Sequence, residues 1–135
     1  MRTTPENITE LADNEIFVFG SNLLGIHGSG AAKTARELFG AKLGVEEGLT
    51  GNCYAFPTVT RPATRSSLNS ALTTYQLTRE HLQQVRDRLY TVARDLPKMT
   101  FLLTKVGCGL AGYPEEYMSS LFTDSPANII KPLGW

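Results

Sequence analysis

Residues 15–22 read EIFVFGSN. The run is apolar without alternation, so a strand built from it would be buried on both faces, as strands of a parallel sheet are. The signature returns in NCYAFPTV (52–59), where Pro57 is expected to mark the strand's end, and in MTFLLTKV (99–106). ANIIKPL (127–133) supplies a last short strand. Helix-type segments fall between these runs. In GSGAAKTARELFG (28–40), Ala31, Ala32, Ala35, Leu38 and Phe39 lie at helical spacing and Gly40 suits a C-terminal cap. Thr78 can cap a helix reaching about Asp95, with Leu82, Val85, Leu89 and Val92 on its apolar face. PEEYMSSLF (114–122) opens with Pro in a first-turn position and two carboxylates where a helix start favours them. Residues 60–76 are polar and rich in Ser and Thr, which predicts an exposed connection with some helical tendency. Strand–helix alternation of this kind predicts an α/β fold with a mainly parallel sheet and helices on both faces.

A length of 135 residues suits one domain, 1–135. Thirteen basic residues balance thirteen acidic ones, so net charge gives no reason for non-specific binding to nucleic acid or an anionic membrane. No apolar run approaches the ~20 residues of a membrane span, and the polar N-terminus lacks a signal-peptide core. A cytoplasmic location, with no membrane partner, is the expectation. Cys53 and Cys108 are far apart and read as reduced, mostly buried thiols. His27 and His81 have no partner at a metal-ligand spacing, so neither a metal nor another cofactor is expected.

Ligands of such sheets bind beyond the carboxyl ends of the strands, and two glycine-rich loops fall there. The first is FGSNLLGIHGSGAAK (19–33); the second is GCGLAGYP (107–114). Glycine lets backbone approach a ligand without an intervening Cβ. A following helix start adds unpaired N–H groups and partial positive charge. Together they suit an anion, usually a phosphate, and two such loops suit a diphosphate. Tight turns alone would also use glycine. The first loop is not a P-loop, because Lys33 and Thr34 come too late after Gly30. Nor is it the dinucleotide fingerprint, since Gly25, Gly28 and Gly30 are spaced in the wrong order.

At these residues the chain resembles a macrodomain, the α/β module that binds ADP-ribose. Asn22 followed by Gly28-Ser29-Gly30-Ala31-Ala32 is similar to the family's first loop. Gly107 to Pro114 fits its second loop, Gly-x-Gly-hydrophobic-x-Gly-aromatic-Pro, throughout. ENITEL (6–11) resembles the family's Asp-Ile-Thr segment, with Asn7 where the adenine-contacting acid would stand. The chain is also similar to a set of small bacterial and bacteriophage proteins; for a phage-borne chain the location would be the host cytoplasm. The resemblance implies that Gly28, Ser29, Gly30 and Ala31 line the diphosphate and distal ribose. Gly107, Cys108, Gly109, Leu110, Ala111 and Gly112 would close from the other side, with Tyr113 near that ribose. Asn22 would hydrogen-bond the ribose, and Asn7 and Ile8 would meet the adenine. Gly20, Ser21 and Thr58 complete the implied binding set. An Asn at position 7 loses the charge assistance of an acid.

The resemblance also bears on catalysis. Macrodomains that remove ADP-ribose from glutamate use a Lys and an acid; Val59 and Ala111 stand near those places and can neither attack nor transfer a proton. Other macrodomain hydrolases act through a ribose-bound Asn and a water, a route that Asn22 keeps open. His27 can be read as an acid/base or phosphate contact, or as a solvated loop residue. Cys108 lies near a helix start, where a thiol's pKa can fall, or is a small side chain packed under its loop. Arg61, Arg65 and Lys105 can supply charge to an anion or lie solvated. Three functions follow: a binding module for ADP-ribose or a related nucleotide, a hydrolase of ADP-ribosyl groups on protein or nucleic acid, or an interaction domain whose glycines only make turns.

Overall fold

A computed structural model describes residues 2–28, 30–62 and 75–135. In chain order the elements are β1 (Glu15–Asn22), α1 (Gly30–Leu38), β2 (Gly48–Thr50), β3 (Cys53–Val59), α2 (Arg79–Asp95), β4 (Thr100–Leu103), α3 (Glu115–Leu121) and β5 (Ile129–Ile130). The five strands form one sheet in the order β2-β3-β1-β4-β5. Parallel pairs join β3 to β1, β1 to β4 and β4 to β5, while β2 runs antiparallel to β3. The sheet is therefore mixed, which corrects the expectation of a mainly parallel one. β2 is only three residues long, too short to show a period, and a two-residue turn at Gly51-Asn52 folds it back.

Successive side chains of a strand point to opposite faces, and both faces of this sheet are covered. Ile16, Val18, Tyr54, Phe56, Phe101 and Leu103 face one cluster, closed by Leu82, Val85 and Leu89 of α2 and Met118 and Leu121 of α3. Phe17, Phe19, Cys53 and Ala55 face the other, closed by Ala35 of α1 and Phe39. This is why β1 and β3 read as unbroken apolar runs. Thr78 caps α2 as expected, its hydroxyl accepting from His81 N at 3.1 Å. The other end of α2 is held by Asn128, whose Nδ2 donates to Ala93 O, Leu96 O and Met99 O. This amide ties the end of α2 to the turn that follows it.

Two local expectations are corrected. Pro57 lies inside β3, which continues to Val59. The register passes from Ser21↔Pro57 to Asn22↔Val59, so Thr58 is an extra residue in a bulge. A bulge tolerates the missing proline N–H. Pro114 is the N-cap of α3 rather than its first helical residue. The helical tendency expected within 60–76 falls mostly on residues 63–74, outside the described residues. Among the described residues, no helix is long and apolar enough to cross a membrane.

Candidate functional site

β1, β3 and β4 deliver their carboxyl ends to one cleft of about 1580 Å³. Gly20, Ser21 and Asn22 end β1, and Thr58 and Val59 end β3. From the first loop come Gly28, Gly30 and Ala31, and from the second Gly107, Gly109, Leu110 and Ala111. Asn7 and Ile8 of the N-terminal segment form part of the wall. These residues, spread from 7 to 111, are brought together. Ser29 and Arg65 lie outside the described residues.

The second loop has a distinctive accounting of backbone donors. The N–H of Cys108 goes to Lys105 O, that of Gly112 to Gly109 O and that of Tyr113 to Gly107 O. Among the described residues, the N–H groups of Gly107, Gly109, Leu110 and Ala111 have no acceptor. The carbonyl of Ala111 is held by Gln76 Nε2 at 2.8 Å, which fixes the peptide that follows. Successive free amides in a turn conformation can form an anion-binding concavity. Across the cleft, α1 begins at Gly30, and the first N–H groups of a helix have no intrahelical partner. The start of α3, expected behind the second loop, does not line the cleft.

The glycines fall into two kinds. Gly107 has φ +77°, and a Cβ there would stand 2.8 Å from Tyr113 Cδ2, so the chain itself needs glycine. Gly28 and Gly109 have no left-handed backbone, and a Cβ on either would meet nothing within 4 Å. Among the described residues nothing demands glycine at those two positions, yet both line the cleft.

Several expected site residues are placed elsewhere. His27 is 1 % exposed and does not line the cleft, which overturns its reading as a solvated loop residue. Its ring meets Phe19 edge-on at 5.0 Å, and Nε2 lies 3.4 Å from Ser21 Oγ. Nδ1 has no hydrogen-bond partner among the described residues. Burial depresses its pKa; the backbone of Val45 pulls the other way and the charge of Arg36 adds to the depression. Tyr113 is also buried, its hydroxyl donating towards Thr58 O at 2.6 Å and Leu77 O at 3.1 Å. It lines a separate hollow of about 380 Å³ with Arg79 and Tyr117. Gly112 and Cys108 stay out of the cleft wall. Cys108 is half-buried, and burial, with the Glu115 charge, pushes its thiol up to about 11 against the pull of Lys105. That is opposite to an activated thiol. Cys53 is free and buried. Arg61 stacks over Tyr75 at 3.9 Å instead of entering the cleft.

Asn22 lines the cleft, but its side chain organises its own loop. Oδ1 accepts from Leu24 N at 3.1 Å and Ile26 N at 3.3 Å, and Nδ2 donates to Ile26 O at 2.7 Å. The second Nδ2 hydrogen has no acceptor among the described residues.

The wall also includes residues that the sequence reading did not place there. Thr4 bridges to Pro132 and its hydroxyl donates to Ile130 O at 2.7 Å, so the two ends of the chain close the cleft beside Leu133. Pairing across so many residues leaves no local signal. Among the described lining residues, the ionisable side chains are Glu6 and Lys105. Lys105 pairs with Glu115 at 3.1 Å. No family model, curated protein or solved structure matches this chain.

Proposed function

We propose that the protein binds ADP-ribose or a related nucleotide diphosphate in this cleft. The observation that carries the reading is the run of amides at Gly109, Leu110 and Ala111 that find no acceptor among the described residues, in a cleft that Gly30 and Ala31 of α1's first turn also line. Backbone donors of this kind recognise phosphate without requiring net positive charge, which suits a chain of zero formal charge. Gly28 and Gly109 support it, because their missing Cβ atoms leave the cleft wall open at those points. The macrodomain resemblance of the two loops supplies the choice of ADP-ribose among diphosphates. Ile8, Ile26 and Leu133 add apolar wall for a base.

Binding is favoured over cleavage. Val59 and Ala111 carry no proton-transferring group, His27 and Cys108 do not line the cleft, and Asn22 is largely committed to its loop. Gly28→Glu tests the reading. The position is exposed and open, so the fold should survive. A carboxylate there should abolish ADP-ribose binding in calorimetry. Unchanged affinity in the folded variant would remove the cleft from the binding site.

A further inference from the structure

Lys105 is the one cation among the described lining residues, and in the free protein it is engaged elsewhere. Its Nζ sits 3.1 Å from Glu115 Oε1. The same oxygen accepts from the indole Nε1 of Trp135 at 3.4 Å. Trp135 stacks on Phe122 with ring centroids 5.8 Å apart, and its backbone N–H donates to Pro132 O at 3.0 Å. Pro132 returns to the cleft wall beside Leu133. Lys105, Glu115, Trp135 and Pro132 therefore form a chain of contacts that leaves the cleft and comes back to it.

The Lys105–Glu115 pair is placed to be broken. Both side chains are well exposed, at 37 % and 55 %, and exposed ion pairs hold weakly. The Lys105 backbone is fixed, because its carbonyl accepts from Cys108 N at 3.2 Å within the second loop. The ammonium sits on a flexible four-carbon stem, and Lys105 lines the same cleft as Gly109, Leu110 and Ala111. An anion on those amides offers it a better partner than Glu115, because that anion also collects backbone donors.

We propose that Lys105 is the charged contact for the ligand's phosphate, that Glu115 holds it off in the free protein, and that its transfer to the ligand is felt at Trp135. This rests on the reading of the cleft as a diphosphate site. Glu115 then acts as a built-in competitor that screens out weak anions.

The test titrates ADP-ribose into wild type, Lys105→Met and Glu115→Gln by calorimetry, and follows the emission of Trp135 in the same titrations. Trp135 is the chain's single tryptophan. Met keeps the stem, and Gln keeps an acceptor for the indole. Lys105→Met should bind about tenfold weaker. Glu115→Gln should bind up to about fivefold tighter. Wild-type emission should change with the same midpoint as the heat, and that change should be lost in Lys105→Met. Wild-type heat with equal affinities in all three proteins and flat emission would overturn this proposal and leave the cleft reading standing. No heat from wild type would overturn both.

Discussion

The hydroxyl of Tyr113 lies 2.6 Å from the carbonyl oxygen of Thr58, tying the second glycine loop to the bulge that ends β3. The same hydroxyl reaches Leu77 O at 3.1 Å, and Leu77 N returns to Thr58 O. Tyr113 therefore props the loop from beneath. Tyr113→Phe should destabilise the protein by about 1–2 kcal/mol, since Thr58 O keeps one partner while Leu77 O loses a donor. Urea unfolding should show a lower midpoint with an unchanged slope. A midpoint equal to wild type would show that the prop carries no stability.

Gly107 and Gly109 should respond oppositely to alanine. Gly107→Ala meets both a left-handed backbone and the Tyr113 ring at 2.8 Å, and should cost about 2–4 kcal/mol. Gly109→Ala meets open space, so its stability should stay within about 0.5 kcal/mol of wild type. Its affinity for ADP-ribose should nonetheless fall. Thermal unfolding and calorimetry on the same samples check both halves; equal stability losses would contradict the division of the glycines.

His27 gives a pH dependence with a definite sign. Burial depresses its folded pKa below the ordinary value of 6.5. The unfolded chain then binds more protons than the folded one in the window below 6.5. Stability from this group is present above 6.5 and is lost as pH falls towards the folded pKa. Unfolding midpoints at pH 5, 6 and 7 should fall on acidification, and His27→Leu should flatten that slope. An equal slope in the variant would assign it to other groups.

Cys108 should behave as an unactivated thiol. With its pKa pushed up to about 11, alkylation by iodoacetamide should accelerate about tenfold per pH unit from 7 to 9.5. A plateau below pH 8 would reveal a thiolate and reopen a nucleophilic role. Cys53, at about 12 and buried, should react only on unfolding.

What the sequence disclosed follows from which contacts are local. β1, β3 and β4 were legible because burial on both faces leaves an unbroken apolar run, and α2 because Thr78 and the spacing of Leu82, Val85 and Leu89 act within one element. β2 was missed although Gly51-Asn52 between short apolar stretches is a hairpin signal; three residues gave it no period of its own. Pro57 misled because a bulge, a property of the pair of strands, absorbs it. The cleft's glycines were visible in the text of the two loops. The burial of His27 depends on how its loop curls under Phe19 and Ser21. The bridge of Thr4 to Pro132 and the reach of Lys105 to Glu115 arise only from tertiary structure.

The most direct measurement is calorimetry of the wild-type protein with ADP-ribose, ADP and AMP. The account predicts micromolar binding of ADP-ribose, clearly tighter than ADP and AMP, because both amide-lined walls engage the diphosphate and the distal ribose adds contacts that ADP lacks. Absence of heat with all three would contradict it, and leave the free amides of the second loop without a nucleotide to serve.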